Sequence, residues 1–145
     1  MNHPDMDISF GACFLTAAGL LLLPLDWLVS AMAAAAIHEM GHLAVLRGFR
    51  IPIHDIKIGF SGARIGTGPM PAFTELLCAA AGPLSSFCAA LLSRWFPVLG
   101  LIALAQGLFN LLPVYPMDGG RICRAIGELL REKGTERKIS CKQQR

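Results

Sequence analysis

Four apolar stretches, residues 8–25, 27–46, 73–93 and 96–114, constrain this chain more than any other feature. Each is close to the roughly 20 residues that a helix needs to cross about 30 Å of hydrocarbon. Pro24 and Asp26 mark a turn between the first two, and the last two are separated by almost nothing. Each pair therefore reads as a tight antiparallel hairpin. Composition agrees: hydrophobic residues make up 54% of the chain, charged residues 16%, and the mean hydropathy is +0.53. Soluble domains carry roughly 25% charged residues. These values exclude a disordered chain and argue against an ordinary soluble enzyme.

Between the second and third stretches the period changes. Ile56, Ile58 and Phe60 alternate with Lys57, Gly59 and Ser61, and Ser61-Gly62 signals a turn before Ala63-Arg64-Ile65. A period of two broken by a turn predicts a small β-hairpin. Bare strand edges have no partners in lipid, so this hairpin must sit at the interface or line a protein cavity. The expected fold is an all-α integral membrane protein of about four transmembrane helices, with this hairpin between helices two and three. Residues 1–120 would form the membrane core and residues 121–145 a basic C-terminal helix and tail.

The charges orient it. Of 13 Lys and Arg, four lie between Arg47 and Arg64 and eight lie from Arg121 onward. Four spans put both groups on one face and leave Arg94 alone on the other. The positive-inside rule then places the hairpin and both termini in the cytoplasm, with Trp27 and Trp95 at the opposite interface. No aromatic residue punctuates the basic tail, so it reads as a segment drawn to anionic lipid and not as a nucleic-acid surface. The five cysteines are odd in number and form no CxxC pair, so they read as unpaired thiols and suggest neither a disulfide framework nor a cysteine-rich zinc site. No Lys or Arg precedes the first apolar run, unlike a secretory signal peptide.

Helix two contains His38-Glu39-Met40-Gly41-His42. Histidines four apart share one helical face and can grip one metal ion. The adjacent glutamate is placed to accept a proton from water at that ion. Chance supplies this pattern in about one chain of this length in several hundred. At bilayer depth each ionisable group costs about 2.5 kcal/mol or more, which makes an idle cluster rarer still. A third ligand is needed. At the end of helix four, Pro113 and Pro116 break the helix and Gly119-Gly120 loosen the backbone around Asp118. Asp118 either turns sideways into the site or caps the final helix, expected from Gly119 to about Lys133. Its depth matches that of His38 and His42. Gln106 and Asn110 share one face of helix four and suit interhelical hydrogen bonding, or donation to a substrate carbonyl. His54 reads as a surface histidine.

HEMGH in helix two, together with NLLPVYPMDGG after helix four, resembles the site-2 protease family of intramembrane zinc metalloproteases. Asn110, Pro113, Pro116, Asp118 and Gly119 match that family's second motif, and Ala81-Gly82-Pro83 resembles its small-residue motif. The resemblance is nearest to the compact sporulation-type members, those like stage IV sporulation protein FB, although no C-terminal regulatory domain or inserted PDZ domain is expected here. It implies one zinc ion per chain held by His38, His42 and Asp118, with Glu39 as general base and Asn110 holding the substrate or stabilising the tetrahedral intermediate. It further implies cleavage within or beside a transmembrane segment of a membrane-protein substrate, in the lipid bilayer of the cell membrane, and leaves room for a regulatory membrane partner. Two other readings compete. A catalytically silent scaffold of the same fold would have no need of Glu39. A metal or proton transporter would be poorly served by four short helices without a repeat.

Overall fold

The computed structural model describes residues 5–8, 10–59 and 62–143. Five helices and three strands follow in the order β1 (Asp5–Ile8), α1 (Phe10–Leu22), α2 (Leu25–Gly48), β2 (Ile53–Gly59), β3 (Gly62–Thr67), α3 (Ala72–Ala90), α4 (Pro97–Asn110) and α5 (Asp118–Gln143). A 3-10 turn, Leu91–Arg94, extends α3. The expected hairpin is present as β2 and β3, antiparallel with Ile56 opposite Ile65 and Lys57 opposite Arg64. Of its expected turn, Ser61-Gly62, Ser61 lies outside the described residues and Gly62 opens β3.

Two expectations are corrected. The hairpin is part of a three-stranded sheet, because β1 pairs in parallel with β2, Met6 opposite Ile56. Four residues are too few for alternation to stand out in the sequence. Helix four stops at Asn110 and not near Val114. Leu111 and Leu112 keep the run apolar, but Pro113 and Pro116 supply no backbone N–H, and the chain turns through residues 111–117.

Among the described residues, two helical segments are long and apolar enough to cross a membrane, Leu25–Gly48 and Ala72–Arg94. With 24 and 23 residues they measure about 36 and 34 Å. The 13 residues of α1 and 14 of α4 give only about 20 and 21 Å.

The packing of α2, α3 and α4 is set by small side chains. Ala34, Ala89 and Ala103 form the buried core, flanked by Ile37, Leu99 and Ile102. Gly41 lies directly against the Ala81 carbonyl, where a Cβ has no room. Many large apolar residues point outward instead: Val29, Met32, Phe73, Leu84 and Leu101 are all exposed, while Leu28 and Leu46 are buried. Large apolar outside, small and polar inside, is the distribution a lipid-facing bundle requires, since tails compete for Leu as well as a core does. The antiparallel match of α2 with α3 sets His42 beside Cys78 and His38 beside Ser86. Trp27, in the first turn of α2, and Trp95, just after the 3-10 turn that extends α3, are both exposed.

Candidate metal centre

α2 carries His38 and His42 one turn apart on its buried face, 3% and 6% exposed. α5 opens with Asp118, 6% exposed. The chain between Asn110 and α5 folds back tightly, and Gly119 lies against the Leu111 carbonyl with no space for a side chain. That close approach carries Asp118 under α2. Its Oδ2 lies 3.1 Å from His38 Nε2 and 3.3 Å from His42 Nε2. The two Nε2 atoms are 3.3 Å apart.

The other ring nitrogens are taken by α3. His42 Nδ1 donates to the Cys78 carbonyl at 2.8 Å, and His38 Nδ1 pairs with Ser86 Oγ at 2.9 Å. A carbonyl can only accept, so His42 carries its proton on Nδ1, and the neutral ring presents a lone pair at Nε2. Lone pairs and a carboxylate oxygen so close repel one another unless a cation lies among them. His38, His42 and Asp118 form a potential metal-ligand group. Zinc with tetrahedral bonds of about 2.0–2.1 Å requires donors about 3.3 Å apart. The observed spacings fit. The donor set of two imidazoles and a carboxylate, with outer-shell bonds fixing the rings, suits zinc chemistry.

α3 shapes the site with one stripe: Glu75, Cys78, Gly82 and Ser86, spaced three, four and four apart, face the same way. A Cβ at Gly82 would collide with Nε2 of both histidines. Behind Asp118, Arg121 donates from Nη1 to its Oδ1 at 3.3 Å and from Nε to Glu75 Oε1 at 2.9 Å. Burial acts to lower Arg121; its bond to Glu75 outweighs that and moves it upward.

A cavity of about 600 Å³ opens on this cluster. Glu39 and Asn110 line it together with His42 and Asp118, and Ile65, Gly66 and Thr67 of β3 line it as well. All five residues singled out in the sequence thus gather at one place, while His54 is exposed. Sequence reasoning missed Cys78, Ser86, Glu75 and the second role of Arg121. Helical spacing from Gly82 pointed to the first three, but a backbone carbonyl and a serine carry no signature of their own.

Peptidase family M50 matches residues 77–142, which include the α3 partners, Asn110 and Asp118; residues 38–42 precede the match. A zinc metalloprotease of Methanocaldococcus jannaschii is 35% identical over 107 residues, covering 64% of this chain. The match takes in 32% of that relative, so the chain spans about a third of its length. The solved site-2 protease from the same organism superposes with a TM-score of 0.69 at 26% identity, over 83% of this chain and 66% of that one. Motif, relative and fold agree in making the chain similar to peptidase family M50 and to the site-2 proteases.

Proposed function

We propose that this chain is a zinc-dependent intramembrane endopeptidase that cuts a peptide bond within or beside the membrane-spanning segment of a membrane protein. The observation that carries this reading is the convergence of His38, His42 and Asp118 within 3.3 Å of one another at a cavity that Glu39 also lines. His38 and His42 would hold the ion through Nε2, and Asp118 through Oδ2. When bound, zinc supplies Lewis-acid polarisation of the scissile carbonyl.

The remaining work falls to side chains. Ser86 and the Cys78 carbonyl keep the rings from turning away. Glu39 takes a proton from the attacking water and returns it to the leaving amide nitrogen. Asn110, at the end of α4, offers its amide N–H to the carbonyl oxygen as charge develops there. A membrane helix hides its carbonyls in internal hydrogen bonds, so the substrate must first unwind. β3 is an edge strand whose residues 65–67 wall the cavity, and an unwound segment can pair with it by strand addition. Glu75, Arg121, Arg124 and Glu128 add polar side chains to the cavity lining, which suits the entry of water.

In this reading all four apolar helices span the membrane, with α1 and α4 accommodated by local thinning of the bilayer. The sheet, both termini and the basic part of α5 face the cytoplasm, and the host bilayer is the cell membrane. The first turns of α5 complete the site, and residues beyond them form a basic arm.

The test uses the purified chain in proteoliposomes with a single-span substrate. Cleavage should need zinc and vanish in Glu39→Gln, which should still bind the ion. Zinc binding without cleavage of any membrane substrate favours a silent scaffold. Zinc moved across the bilayer without cleavage favours a transporter.

A further inference from the structure

The metal-site reading leaves Arg121 and Glu75 without a part. Neither touches a histidine, yet both are drawn into the interior: the side chains are 26% and 12% exposed. Arg121 spends its guanidinium on two carboxylates at once, Nε on Glu75 Oε1 at 2.9 Å and Nη1 on Asp118 Oδ1 at 3.3 Å. Its remaining arm, Nη2, lies 4.0 Å from Cys78 Sγ. Arg124 adds a weaker contact to Glu75 at 3.5 Å.

We propose that Arg121, braced by Glu75, is a positioning residue that fixes the rotation of the Asp118 carboxylate, so that Oδ2 alone faces the histidines. The inference rests on the metal reading above. A free carboxylate rotates about its Cβ–Cγ bond and can offer both oxygens to one cation. Here Oδ1 is occupied by a rigid planar donor, which leaves a single oxygen for the site. A lone arginine in that place would set a positive charge close to a divalent ion and oppose its binding. Glu75 cancels that charge and also fixes the guanidinium plane. The pair therefore supplies orientation without a net charge. Glu75 lies one turn before Cys78, whose carbonyl holds His42, so one turn of α3 aims two of the three ligands.

This suggests a charge-balanced experiment on the full chain in detergent. Arg121→Met combined with Glu75→Gln removes the pair and leaves the summed charge of the site unchanged. Zinc affinity, measured against a chelating dye, should fall roughly 10- to 100-fold, the usual effect of losing an outer-shell partner. The cobalt(II)-loaded protein should lose visible absorption intensity as Asp118 binds through both oxygens and the coordination number rises. Helix content of the metal-free protein should match the parent. An unchanged affinity and cobalt spectrum overturns the proposal. Should the double variant fail to fold, Arg121→Lys decides: it keeps the charge but lacks the fork that grips two carboxylates, and should show the same weakened cobalt band. A parental spectrum from Arg121→Lys overturns the proposal. A parent chain that takes up neither zinc nor cobalt removes the metal reading itself, and this inference with it.

Discussion

Gly82→Ala should weaken zinc binding while leaving every ligand in place. The added Cβ would lie closer than 3.0 Å to Nε2 of both histidines and to Cε1 of His42, nearer than real Cβ atoms come to anything. The rings cannot swing aside, because their Nδ1 atoms are held by α3 itself at 2.8 and 2.9 Å. Relief must come from parting α2 and α3, and that contact is already tight, with Gly41 against the Ala81 carbonyl. Overpacking of this kind costs about 1–3 kcal/mol. If the strain falls on the ligands, at 1.4 kcal/mol per tenfold it lowers zinc affinity roughly 5- to 150-fold. Competition with a chelating dye measures this directly, and far-UV dichroism reports whether the helices persist. Gly127→Ala is the control, since nothing lies within 4 Å of its Cβ; it should leave zinc affinity unchanged and stabilise α5 by up to about 1 kcal/mol. Parental zinc affinity in Gly82→Ala would refute the reasoning, because it would mean that the glycine does not set the spacing of the site.

Asp118→Asn separates ligand from cap: asparagine starts a helix about as well as aspartate, so a pure cap predicts near-parental zinc content, whereas a ligand predicts loss of zinc and cleavage with helix content of the metal-free protein unchanged. His38→Ala and His42→Ala should each lower zinc per purified chain; undiminished zinc would put the ion elsewhere. A reporter fused after Arg145 should be active only as a cytoplasmic reporter, and activity on the other face would mean that one of the apolar helices does not span. Stripping zinc from a protein held at about 100 times its dissociation constant removes about 2.7 kcal/mol. For a chain of this size that lowers the melting temperature by roughly 5–10 °C, and an unchanged melting curve would show that the ion does not stabilise the fold.

The parts of this molecule that were legible in the sequence are those where spacing is itself the chemistry. Two histidines four apart must share a helical face, and alternation at residues 56–65 must make a strand pair. Helix ends were less legible. Hydropathy counts Leu111 and Leu112 as more of α4, but a helix ends where backbone donors run out, and the prolines decide that. At the other end, the sequence reading ends α5 near Lys133, yet the helix reaches Gln143. Residues 128–143 are rich in Glu, Arg and Lys, which hold helix well without a packing face. The outer partners of the site were hidden for another reason. Cys78 contributes its carbonyl, which every residue has, and only the placement of α3 singles it out.

The cap and ligand readings of Asp118 share one physical basis. A carboxylate in the first turn of α5 is favoured by the unpaired N–H groups there, whatever else it touches. Its Oδ2 is nevertheless committed to α2, and its Oδ1 to an arginine three residues along its own helix. Glu75 then joins that arginine to α3. An ion among the three donors would therefore link α2 to α5 directly and α3 through the ring and guanidinium bonds. Binding that needs all three elements in place stabilises all three together, since a ligand favours whichever state can hold it. The converse also holds. Any movement of α5 away from α3 withdraws Asp118 and opens the cavity at the same time, because residues of α5 also form its wall. A single helix thus supplies both a ligand and part of the cavity wall, with Ala125 buried and residues 131–135 exposed.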